Sequence, residues 1–126
     1  MFKTLLALSC VLAIAFAGVV TLSPDNYDNI VNDPDKNVFV KFYARWCGHC
    51  TRMAPAWEEL AKSQASNTDV VIAELDAAKH QELAQRNGVR GFPTIKLFTK
   101  NNKNGIQHQC ARDVPSFENF LKTNAN

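Results

Sequence analysis

The chain has 126 residues, 46% of them hydrophobic and 21% charged, which are the proportions of one ordinary globular domain. Its formal net charge of +2 is too small to argue for nucleic acid or an anionic membrane surface as a partner.

The first element is a leader. Lys3 is followed by the apolar run LLALSCVLAIAF, and AFA at 15–17 closes it with small residues two apart. These are the three parts of a secretory signal peptide, and the run falls short of the roughly 20 apolar residues of a spanning helix. Cleavage is expected after Ala17, giving a signal peptide at 1–17 and one domain at 18–126. A buried segment of the fold and an uncleaved anchor are the alternatives. Cys10 leaves with the leader, so Cys47, Cys50 and Cys110 remain. Three is odd and small for a disulfide scaffold, so an apolar core must hold the domain together. Export also implies an oxidising compartment.

VVTL at 19–22 reads as a short strand. Ser23 offers an N-cap with Pro24 at the first helical position, and Tyr27, Ile30 and Val31 share one face of that helix. NDPDKN at 32–37 carries turn chemistry, and VFVKFY at 38–43 is a strong central strand. From Cys47 to about Ala65 the spacing is helical, with Met53, Trp57, Leu60 and Ala61 on one face and a kink expected at Pro55. VVIAELD at 70–76 is a strand, and 78–87 a helix ended by Gly88. TIKLF at 94–98 is a strand, NNKNG at 101–105 a turn and IQHQC at 106–110 a closing strand. Asp113 caps a last helix whose apolar face is Val114, Phe117, Phe120 and Leu121. The order β-α-β-α-β-α-β-β-α implies an α/β domain, a central sheet covered on both faces. Its early strands are parallel and its last two antiparallel. In such sheets the reactive site lies beyond the C-terminal strand ends, where Cys47 follows the central strand.

Cys47 and Cys50 stand in ARWCGHCTRM at 44–53. A cysteine at a helix N-terminus faces unpaired backbone N–H groups and the positive end of the helix dipole, and both stabilise the thiolate. Cys50, three residues on, shares that helix face and can close a disulfide across one turn. Cys47 would attack; Cys50, less exposed, would resolve the mixed disulfide. His49 can carry charge or donate a hydrogen bond to the Cys47 thiolate. The stakes are about 90 mV, roughly 4 kcal/mol, between reducing and isomerase-type dithiols. Zinc needs about four ligands, and no second cysteine pair follows, while His80 and His108 lie far along the chain. A static staple across one helical turn would constrain the unfolded chain little. No metal and no cofactor is expected.

FYARWCGHCTRMAPAWEELA together with GVRGFPTIKLF resembles the thioredoxin superfamily, and within it the catalytic domain of protein disulfide isomerases. The resemblance covers nearly all of residues 18–126. It implies a thioredoxin fold, a central mixed β-sheet flanked by helices, and a thiol–disulfide oxidoreductase acting on client proteins through Cys47, Gly48, His49 and Cys50. It also implies a cis Phe92–Pro93 bond, with Gly91, Phe92 and Pro93 presenting backbone to an extended client and Trp46 flanking the site. Arg112 matches an arginine thought to swing towards the second cysteine and lower its pKa; a plain surface arginine is the alternative. Cys110 stands where the family has glycine and is expected to be half-buried, or else to be a reactive third thiol. Client proteins and glutathione or a redox partner protein are the implied partners, with no nucleic acid and, after leader cleavage, no membrane. The C-terminal LKTNAN carries no Lys-Asp-Glu-Leu signal, so lumen of the endoplasmic reticulum and secretion both stay open. A client-binding module with a slow redox centre is the non-catalytic alternative.

Lys41 departs from the family, which carries a buried acid there. A unit charge ~6 Å from a thiolate contributes about 2.8 kcal/mol at an effective dielectric of ~20. A charged Lys41 would favour both thiolates, a buried neutral amine would accept a proton, and a lysine reaching solvent would do neither.

Overall fold

The computed structural model describes residues 18–126, so the leader expected at 1–17 lies outside the described residues. The elements follow the expected order: β1 (Val20–Thr21), α1 (Tyr27–Val31), β2 (Asn37–Tyr43), α2 (Gly48–Ser63), β3 (Val70–Asp76), α3 (Gln81–Arg86), β4 (Thr94–Phe98), β5 (Ile106–Gln107) and α4 (Val114–Asn124). The five strands form one sheet in the order β1-β3-β2-β4-β5. β1 and β2 run parallel to β3, β4 runs antiparallel to β2, and β5 antiparallel to β4. This is the mixed sheet that the resemblance implies.

A strand buried on both faces reads as a continuous apolar run, because neither side can be polar. β2 is such a strand, with Asn37 to Phe42 all buried. Its side chains alternate. Val38, Val40 and Phe42 join Val71, Ala73 and Leu75 beneath Tyr27 and Val31 of α1 and Leu83 of α3. Phe39 faces the other way, with Ile72, Ile95 and Leu97 against Met53, Trp57 and Leu60 of α2 and Phe117 and Leu121 of α4. Trp57 is the centre of that second layer. Its ring lies 4.9 Å from Phe39 and 5.0 Å from Phe117, and its indole N–H donates to the Ala73 carbonyl at 2.9 Å.

Several boundaries are shorter than the sequence pattern implies. Pro24 sits in a turn and not at a first helical position. The Ser23 carbonyl accepts the N–H groups of Asn26 and Tyr27, while the Asn26 side chain accepts the Ser23 N–H at 2.7 Å, so α1 starts only at Tyr27. α3 starts at Gln81 because Asp76 holds a turn before it, accepting from Lys79 and His80. Gly88 ends α3 as expected. It takes φ +67, and the N–H groups of Gly88 and Val89 bond back to Gln85 and Ala84, closing the orphan carbonyls. β5 stops at Gln107 because His108 turns inwards and its Nε2–H donates to the Ala111 carbonyl at 2.9 Å, bending the chain. α2 runs unbroken through Pro55, which leaves the Thr51 carbonyl without its usual intrahelical donor. Asp113 caps α4, accepting the Ser116 N–H at 2.9 Å. Among the described residues no helix is long and apolar enough to cross a membrane.

Candidate active site

The site forms where β2 ends. The Cys47 N–H donates to the Ala44 carbonyl at 3.1 Å, and this turn sets Cys47 as the N-cap of α2. An N-cap side chain accepts from the free N–H groups of the first turn. Here the cap is a sulfur: Cys47 Sγ accepts the Cys50 N–H at 3.2 Å. The loop before β4 closes the other side. The Phe92–Pro93 bond is cis, as expected, and the Cys47 thiol donates to the Phe92 carbonyl at 3.6 Å. The Thr94 hydroxyl donates to the Gly91 carbonyl at 2.8 Å and ties the loop to β4. An open groove of about 430 Å³ runs along Arg90, Gly91, Phe92, Pro93 and Thr94. Trp46 is 75% exposed, and its ring meets Phe92 edge-on with centroids 5.6 Å apart.

The two sulfurs differ in acidity. Both cysteines are free thiols and both are buried, Cys47 at 7% exposure and Cys50 at 4%. Burial alone would push the Cys47 thiol up. The Cys50 thiol, the backbone N–H groups of Cys50 and His49, and the Arg112 charge together pull it below the usual thiol range. Burial pushes Cys50 up to about 11, and its bond to Cys47 adds to that rise. The Ala44 backbone and the Lys41 charge oppose it. Cys47 is therefore the thiol that ionises first.

The other expected site residues divide. His49 contributes its backbone N–H to Cys47, and its ring Nδ1 accepts from the Arg52 guanidinium at 2.6 Å on the exposed face of α2. Gly48 is exposed in the first turn, where a Cβ would make only ordinary contact with Arg52 at 3.5 Å, so packing does not demand glycine there. Arg112 is exposed, and its charge is felt at Cys47. Cys110 is exposed, not half-buried, because the strand expected to hold it ends at Gln107.

Lys41 does not reach solvent. Its side chain is 6% exposed, and Nζ lies 3.5 Å from Glu74 Oε1 and 5.2 Å from the centre of the Tyr43 ring. Glu74 was not apparent from the sequence. Alternation along VVIAELD puts it on the same face as Val70 and Ile72, an inward position for a charge, but its partner depends on the register of β2 against β3. That register sets Lys41 directly opposite Glu74.

The family model described as Thioredoxin matches residues 18–123. The chain is 48% identical over 105 residues to Protein disulfide isomerase-like 2-2 of Oryza sativa subsp. japonica, covering 83% of this chain and 28% of that protein. It is 44% identical over 111 residues to Protein disulfide-isomerase 1 of Dictyostelium discoideum, covering 86% of this chain and 31% of that one. The chain thus spans less than a third of these relatives. The solution structure of the first thioredoxin domain of mouse Protein disulfide-isomerase A4 superposes with a TM-score of 0.73 at 32% identity. That match covers 86% of this chain and 76% of the other.

Proposed function

The chain belongs to the thioredoxin family, and from that premise we propose that it is a thiol–disulfide oxidoreductase of the protein disulfide isomerase kind. One observation carries this: Cys47 caps α2 with its sulfur on the backbone N–H of Cys50, which stands one turn on with its own thiol buried. In the reducing direction the Cys47 thiolate attacks a client disulfide and expels one client sulfur as thiolate. Cys50 then loses its proton and attacks Cys47 Sγ. The Cys47–Cys50 bond forms, the bond to the client breaks, and the client leaves with two electrons and a proton. Oxidation of a client dithiol runs the same steps backwards. The groove beside Phe92 and Pro93 and the exposed Trp46 ring are the surface on which an extended client lies. The apolar leader at 1–17 directs the domain at 18–126 into the secretory pathway, to the endoplasmic reticulum or beyond. There glutathione or a partner protein resets the pair.

The pH profile of a single turnover tests this. Reduced protein mixed with a peptide disulfide is expected to react faster as pH rises, because thiolate is the attacking form. The rate is expected to level off at a midpoint below the usual thiol value of about 8.5, where Cys47 is fully ionised. A rate that climbs steadily past that value would assign the attack to an ordinary thiol and remove Cys47 from the role.

A further inference from the structure

No aspartate or glutamate stands between Asp35 and Glu58, or between Glu82 and Asp113. The fold brings these two acid-free stretches together, because the first holds Cys47 and the second holds the Phe92–Pro93 loop that meets it. Four arginines come with them. Arg45 follows β2, Arg52 is in the second turn of α2, Arg90 precedes β4 and Arg112 follows β5. All four are exposed. Among the described residues the ion pairs are Lys41–Glu74, Arg86–Asp28 and Lys100–Asp69, so none of the four has an acid as partner. Arg52 folds back over the start of α2. Its guanidinium donates to the His49 ring, and one of its nitrogens lies 3.5 Å from where a Cβ on Gly48 would stand. That end of a helix is already positive, so a cation folded over it is unfavourable without an anion. Arg90 lines the groove beside Phe92 and Pro93, where Gly88, Thr94 and Gln107 bring no charge. Arg45 lines the cavity beside Cys50 and Thr51, and the charge of Arg112 is felt at Cys47. Glu74 and Asp76, the acids felt at Tyr43 beside Arg45, are engaged, Glu74 with Lys41 and Asp76 with the Lys79 N–H.

We infer that this rim of arginines makes the site selective for acidic client segments, those with aspartate or glutamate beside the reacting cysteine. This rests on the oxidoreductase function proposed above and names the class of client it takes. The occupant is an extended stretch of a client protein. Its backbone lies along the Phe92–Pro93 loop, its sulfur meets Cys47, and its carboxylates reach Arg52 on one side and Arg90 on the other. A guanidinium presents a planar fork that matches a carboxylate with two hydrogen bonds. One exposed ion pair is weak, but several charges of one sign around a groove act together on encounter and on choice of partner. The chain as a whole carries a net charge of only +2, so the rim is a local field and not the average of a basic protein. The Cys47 thiolate supplies one negative charge against four arginines, which leaves the rim positive in the attacking state.

The test uses three single-cysteine peptides of one length, each as its disulfide-linked dimer. They differ only in carrying glutamate, glutamine or lysine on both sides of the cysteine. The rate at which reduced protein reduces each is divided by the rate of the same peptide with dithiothreitol. That reagent is uncharged, so the division removes what the flanking charges do to the disulfide itself. At about 10 mM salt the normalised rate of the glutamate peptide is expected to exceed that of the lysine peptide at least about tenfold. At about 1 M salt, where the Debye length is ~3 Å, the ratio is expected to fall to within about twofold. The double variant Arg52→Gln/Arg90→Gln is expected to lower the low-salt ratio at least about threefold. Both residues are exposed, so folding is not at stake. The ratio is taken within one protein, so any change in Cys47 acidity cancels. A wild-type ratio below about threefold at low salt, or one that the double variant leaves unchanged, overturns the proposal. The same peptides with serine in place of cysteine, followed by fluorescence anisotropy, need no exchange. Protein that reduced none of the disulfides yet bound the glutamate peptide most tightly would lose the oxidoreductase function and keep the acidic preference. Protein that reduced all three at equal normalised rates would keep the function and lose the preference.

Discussion

Cys50→Ala is expected to turn the protein into a trap. The first step, attack by Cys47, needs nothing that alanine removes, but no second thiol then displaces the client. Incubation with a disulfide-bearing protein should accumulate a Cys47-linked complex, visible on non-reducing gels and collapsing with dithiothreitol. Cys47→Ser should do the reverse, lowering exchange on the order of a thousandfold or more and forming no complex. Cys110 is an exposed thiol, so both variants are to be made with Cys110→Ser as well. If the Cys50→Ala protein turned over at the wild-type rate, or if Cys47→Ser still captured client, the division of labour between the two cysteines would be wrong. The structure gives the asymmetry its cause. Cys47 follows the turn after β2 and caps a helix, where backbone N–H groups await an anion, whereas Cys50 lies inside the first turn.

The largest stability loss is expected at Trp57. Its side chain is fully buried, it touches both Phe39 and Phe117, and its indole N–H satisfies the Ala73 carbonyl. Trp57→Ala removes all of these, and the cavity left is too large for the sheet and α4 to close. The expected cost is about 3–5 kcal/mol. A domain of this size has about 5–15 kcal/mol in all, so the variant should sit near the edge of folding. Urea unfolding checks it: at a slope of about 1–3 kcal/mol/M, the midpoint should fall by roughly 2 M. Trp46→Ala, on the exposed side of the site, should move it by less than about 0.5 kcal/mol. A Trp57→Ala midpoint as little changed as that of Trp46→Ala would mean that the layer between the sheet and α2 is not the main core.

Much of the fold was legible because its strands are unambiguous. Residues 70–76 and 94–98 stand where the apolar runs put them, and α2 carries its inward face on Met53, Trp57, Leu60 and Ala61 as the spacing required. The misplaced boundaries share one physical reason. At Asn26, Asp76 and His108 a side chain bonds to backbone nearby and takes over the turn, and periodicity is blind to such bonds. The site was legible in part. Motif and spacing pointed to Cys47 and Cys50, the family resemblance pointed to the Phe92–Pro93 loop, and the geometry brings the three together. The partner of the His49 ring, Arg52 one turn along the helix, was not legible in the motif. Lys41 was singled out, but its partner was not. Strand pairing brought Glu74 to it, and pairing register is a long-range fact that no single segment carries.

In the function proposed above, Cys47 and Cys50 form a redox pair poised to exchange disulfides with clients. Equilibration of the protein with glutathione buffers, followed by quenching and counting of free thiols at both positions, tests it most directly. A reduction potential near about −180 mV is expected, the value of the isomerase class. Both the low pKa of Cys47 and a charged Lys41 favour the reduced form and push the pair in that direction. A value near about −270 mV would place the pair among dedicated reductants, and a pair that stays reduced in every buffer would contradict the account outright.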